Sequence, residues 1–158
     1  MAHPVKIMSK FKTIHYSSPE IKSHVSQVFD AIETYISNLP QLAGIISSKR
    51  EDKELQLYFD LFKIELNTIT KLKFYEAFGD LNYCSEIKFF IADTVKKENT
   101  EVLKIYTTYD EYIVEDPYAS GSICDVNNEY AGKLIFDLLL NALYQNNLIS
   151  LKPTPTIE

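Results

Sequence analysis

Apolar residues recur at helical spacing in two stretches of the chain, and at strand spacing between them. Ile21, Val25, Val28, Phe29, Ile32, Ile36 and Leu39 follow one another at three- or four-residue intervals, which places them on one face of a helix. Ser18, Pro19 and Glu20 read as its start: a hydroxyl able to cap, a proline suited to the first turn and an acid near the positive end. Pro40 ends it. Upstream, residues 10–16 alternate loosely, with Phe11, Thr13 and His15 against Ile14 and Tyr16, and could form a first strand. Residues 41–48 could add a short helix before a charged loop at 49–53.

The middle of the chain reads as strands. Leu55, Leu57, Phe59 and Leu61 alternate with Glu54, Gln56, Tyr58 and Asp60, and the phase slips at Phe62, which implies a turn or bulge. Leu55, Tyr58, Phe59 and Phe62 also fit helical spacing, so residues 54–69 read as one strand, two strands or part helix. Leu72 and Phe74 alternate with Lys71, Lys73 and Tyr75, and Gly79–Asp80 marks a turn. Ile87, Phe89 and Ile91 pair best, across the polar stretch 96–100, with Leu103, Ile105, Thr107 and Tyr109 as a hairpin. A loop at 115–124 leads to Asp125, which can cap a second long helix. Its apolar face is Tyr130, Ala131, Leu134, Ile135, Leu138, Ala142 and Leu143, and Asn146 and Asn147 suit its end.

Strands in a run, flanked by helices, predict an α+β fold. The expected architecture is an antiparallel β-meander packed on a long C-terminal helix, with a helical segment near the N-terminus. Residues 1–151 form one domain and 152–158, with Pro153 and Pro155, a frayed tail. Leu138 is predicted to be buried against Ile87, Phe89, Leu103 and Ile105.

Composition narrows the function classes. A chain of 158 residues suits one domain, and one of about that length buries roughly 70% of its unfolded surface without staples. The net charge of −6 argues against a nucleic-acid partner, which would select a basic stripe. Cys84 and Cys124 have neither CxxC nor metal-ligand spacing and are expected to be reduced and partly buried. No apolar run is long enough for a membrane span. Lys6, Lys10 and Lys12 are not followed by the apolar core of a signal peptide, so a cytoplasmic protein is expected.

Candidate chemistry is sparse. GxSxG, HExxH and phosphate-loop patterns are absent, and four glycines leave little for a phosphate cradle. His3, His15 and His24 are the only histidines; His24 falls near the solvent face of the first helix, and His15 could point inward from a strand. No catalytic residue, metal site or cofactor is expected. Glu76 shares the phase of Leu72 and Phe74, so it either anchors a ligand from an inward face or lies exposed past the strand end. Tyr106, Asp110, Glu111, Tyr112 and Tyr118, with Tyr109, Glu115 and Asp116 beside them, form an acidic-aromatic cluster suited to a basic protein partner.

The order of elements resembles the START-like helix-grip superfamily, which includes polyketide-cyclase-like and birch-pollen-allergen relatives. The likeness is carried by residues 12–20, by Asn38, Leu39 and Pro40, and by the run from Leu72 through the hairpin into 126–147. It covers most of the chain in outline, without a specific motif. The stretch 53–71 is short for two of the family's strands, and no family catalytic residue has a counterpart. The resemblance implies a curved antiparallel sheet on a long helix with an apolar cavity between them, and so a non-enzymatic binding protein for a small hydrophobic ligand. Phe59, Phe74, Glu76, Phe89, Ile105 and Ile135 would line that cavity. The alternative is an acidic protein-binding inhibitor, such as a toxin-neutralising immunity protein or a phage antagonist of host defence.

Overall fold

The computed structural model describes residues 4–77, 79–93, 98–119 and 121–149. A helix, α1 (Pro4–Ser37), is followed by one 3₁₀ turn (Pro40–Leu42) and seven strands. The strands are β1 (Ile46–Glu51), β2 (Glu54–Phe59), β3 (Ile64–Ala77), β4 (Asp80–Asp93), β5 (Glu98–Thr108), β6 (Tyr112–Val114) and β7 (Cys124–Asp125), and α2 (Ala131–Gln145) closes the described chain. Each strand pairs antiparallel with the next in sequence order, giving a curled meander. The α+β class matches the sequence reading. The tail 152–158 and His3 lie outside the described residues.

The alternation of strand side chains puts Leu55, Leu57, Phe59, Ile64, Leu66, Ile87, Phe89, Ile105 and Ile113 on one face, where all are buried. Both helices pack on that face, and one hydrophobic core joins them to it. Residues 54–69 resolve into two strands: β2 ends at Phe59 and a turn at 60–63, with Leu61 exposed, leads into β3. The expected hairpin is present as β4–β5, with Ile87 opposite Ile105. A bulge between Phe89 and Phe90 leaves Val102 unpaired and turns it into the core beside Leu103.

Several sequence expectations require correction. Residues 10–16 are not a strand but part of α1, and Pro19 sits inside that helix rather than in its first turn. A proline removes one N–H and crowds one carbonyl, which a helix anchored on both sides can absorb. Residues 41–48 hold only the 3₁₀ turn and the start of β1, and the charged stretch 49–53 is the end of β1 and its turn into β2. Asp125 does not cap α2: it lies in β7, and its carboxylate accepts from the Asn127 N–H at 2.8 Å. The C-terminal helix, at 15 residues, is the shorter of the two; α1 has 34.

The face of α2 is also rotated from expectation. Ala131, Gly132, Ile135, Phe136, Leu139 and Leu143 are buried, whereas Leu138 is only half-buried and Tyr130 is exposed. Gly132 sets this rotation. A Cβ there would lie 2.2 Å from the Ala31 carbonyl oxygen, so the helices touch backbone to backbone. One turn on, Phe136 packs between Tyr35, at 5.6 Å, and Phe59, stacked at 6.3 Å.

Candidate functional site

A groove of about 620 Å³ lies between α1 and the sheet. Its bank on α1 is Lys22, Ser23, Val25 and Ser26; its floor is Thr70 and Leu72 of β3 and Ser85 of β4; its end is Arg50, Asp52, Lys53 and Glu54 of the β1–β2 hairpin. Three features of the fold open it. First, β3 and β4 run 14 residues each while β1 and β2 run six, so the floor extends past the shorter strands.

Second, the β2–β3 ladder stops at Gln56 opposite Asn67, and side chains satisfy the backbone beyond it. The Leu55 N–H donates to the Thr68 hydroxyl at 2.8 Å, and the Thr70 N–H donates to the Glu54 carboxylate at 3.0 Å. The same carboxylate accepts from the hydroxyls of Thr68, at 2.8 Å, and Thr70, at 3.2 Å. Third, Arg50 props α1 over the hairpin. Its guanidinium donates to Asp30 at 3.0 Å, Glu33 at 2.9 Å and Ser26 at 3.2 Å, and lies 5.1 Å above the Phe29 ring.

The turn at the groove's end is tight. Asp52 and Lys53 have φ of 50° and 66°, the left-handed region that a two-residue hairpin of this kind demands and that Asn-Gly or Asp-Gly usually fills. Lysine there is a costly choice.

A second polar cluster lies on the opposite face of the sheet. Glu86 is only 2% exposed, yet it sits among the outward residues of β4. Its carboxylate meets the Lys73 ammonium and accepts from the Tyr106 hydroxyl at 3.3 Å. Burial would raise its pKa, but Lys73, with Lys104 and Tyr106, outweighs burial and holds it below the usual range. Burial pushes Tyr106 and Tyr75 up to about 12, with the Glu86 charge adding to the first and Asp110 to the second. Burial likewise raises Cys84 to about 12. The segment after β6 covers this cluster, with Tyr118 edge-on to Tyr75 at 6.0 Å. Both cysteines are free and buried.

The sequence-predicted ligand residues do not gather at the groove. Phe59, Phe89, Ile105 and Ile135 are core residues between the sheet and the helices. Phe74 is half-buried, its ring 5.6 Å from that of Phe11 on α1. Glu76 is exposed although β3 continues through it to Ala77. Of the acidic-aromatic set, Asp110, Glu111, Tyr112 and Tyr118 are exposed together around the β5–β6 turn and the segment after β6, while Tyr106 is half-buried on Glu86. His24, expected near solvent, is instead 6% exposed, with its Nε2 3.6 Å from Glu111. His15 lies on α1, and its side chain is outside the described ones.

Among the described residues no group of His, Cys, Asp or Glu converges as a metal site, and no helix is long and apolar enough to cross a membrane. No protein-family model, curated protein or solved structure matches the chain.

Proposed function

We propose that the protein binds a small amphiphilic ligand in the groove between α1 and the β1–β4 end of the sheet. The carrying observation is the groove itself. Its volume of about 620 Å³ falls within the range of small-molecule sites. Its lining combines apolar Val25 and Leu72 with hydroxyls and charges from α1, the β1–β2 hairpin, β3 and β4. This moves the ligand expected from the helix-grip resemblance from beneath α2, where core side chains meet, to beside α1 on the same face of the sheet. A tryptophan reporter tests the reading, because the chain has no Trp of its own. In Leu72→Trp, excitation energy should pass to anilinonaphthalene sulfonate bound in the groove. Probe binding without energy transfer, or no binding, would defeat the proposal.

A second reading, an acidic protein-binding inhibitor, is favoured by a different surface. Exposed Tyr109, Tyr112 and Tyr118 stand beside exposed Asp110, Glu111, Glu115 and Asp116. A depression of about 510 Å³ with half-buried Leu134 and Leu138 in its floor adjoins them. Aromatic anchors in an acidic field suit a basic partner. Capture from native lysate at low salt should then yield a stoichiometric basic protein, lost with Tyr112→Ala and Tyr118→Ala; an equal yield with those variants would exclude this surface.

A further inference from the structure

The charges lining the groove are unequally engaged. Arg50 is taken up by Asp30 and Glu33, and Glu54 by one N–H and two hydroxyls of β3. Lys22 on α1 and Lys53 on the β1–β2 turn remain, with Asp52 the one opposing carboxylate of the lining that is not engaged. Among the described residues no carboxylate lies within ion-pair distance of either lysine. Two ammonium groups outside any ion pair thus face the groove, against the single carboxylate of Asp52, on a chain whose net charge is −6. Lys22 stands on the α1 bank and Lys53 on the turn at the groove's end, so both ammonium groups border the same recess.

The apolar part of the groove extends in one direction only. Leu72, 46% exposed, is followed on the same strand face by Phe74, whose ring leans on Phe11. Phe11 and Met8 are themselves exposed on α1. An apolar strip therefore leads along β3 beyond the end of the β1–β2 hairpin, away from the Lys53 turn. The turn keeps a lysine at φ 66°, where glycine would be relaxed, and so holds a cation over the head of this strip.

We infer that the groove's ligand is an amphiphilic carboxylate, with its head group between Lys22 and Lys53 and its aliphatic chain over Leu72 towards Phe74. This assignment rests on the groove being the binding site, and adds the charge and orientation of the occupant. The carboxylate accepts hydrogen bonds from both ammonium groups, the stronger class of such bonds. The chain covers exposed Leu72 and the open side of half-buried Phe74.

Calorimetric titration with decanoate and with 1-decanol, each below its aggregation concentration, separates the two levels of the claim. Decanoate should bind about tenfold more tightly than decanol at low salt, a difference of about 1.4 kcal/mol. The preference should shrink in Lys22→Gln and in Lys53→Gln, and with added salt, while decanol affinity stays level. Equal affinities, or a carboxylate preference untouched by both substitutions, would overturn the assignment of head group and lysines and leave the groove reading standing. Failure of both compounds to bind would take down the groove reading as well.

Discussion

Single side chains carry some of the sharpest consequences of this fold. Thr107 is 2% exposed, and its hydroxyl is the one buried side-chain polar atom without a partner among the described residues. A buried hydroxyl without a partner is costly, so an apolar isostere should relieve it. Thr107→Val is expected to melt at or above the parent temperature; a clear loss would mean that the hydroxyl has a partner, such as an ordered water. Glu86 makes the opposite case, because its charge is buried but matched. Glu86→Gln should cost about 1–3 kcal/mol at neutral pH. Its folded pKa is held down, so the charged form stabilises the fold above the unfolded value of about 4.3. That contribution is lost as pH falls through the lower folded value, and the gap between parent and variant in urea melts should close in acid. The raised tyrosines act at the other end. Tyr75 and Tyr106 favour the neutral form in the fold, so their contribution is complete below about pH 10 and declines towards about 12.

Periodicity read some elements from sequence better than others. The α1 face from Val25 to Ile36 and the β4–β5 pairing were legible because period and burial agree there. Residues 10–16 misled, since a short stretch can alternate by chance while Phe11 keeps helical contact with the sheet through Phe74. On α2 two apolar rows compete: Tyr130, Leu134 and Leu138 against Ala131, Ile135 and Leu139. Their periods are identical, and what chooses between them is Gly132, whose missing side chain admits the backbone of α1. Pattern reading assigns glycine no face. Gly132→Ala should therefore destabilise by about 1–3 kcal/mol, as overpacking does, although alanine is the better helix former. Leu139→Ala should cost about 2–5 kcal/mol. Leu138→Ala should cost clearly less, because Leu138 is only half-buried. Equal losses at 138 and 139 in denaturant melts would place α2 in the other rotation.

Across the whole molecule, a long helix and two long strands outreach a short hairpin, and the uncovered stretch is the groove. No local motif announces such a site. Lys22, Arg50, Lys53, Thr70 and Ser85 come from distant parts of the chain and read individually as ordinary surface residues. The acidic-aromatic cluster was legible because Asp110, Glu111 and Tyr112 are consecutive, with Tyr118 close behind. Glu86 was not, because only the segment after β6, with Tyr118 on Tyr75, shows that an outward strand position is covered. The measurement that bears most directly on the ligand-binding account is an amide NMR titration of the intact chain with decanoate. Shifts should concentrate at Lys22, Val25, Lys53, Thr70, Leu72 and Ser85, and leave Ile135, Leu139 and Tyr112 in place. Shifts centred instead on Ile135 and Leu139, between the sheet and α2, would contradict it.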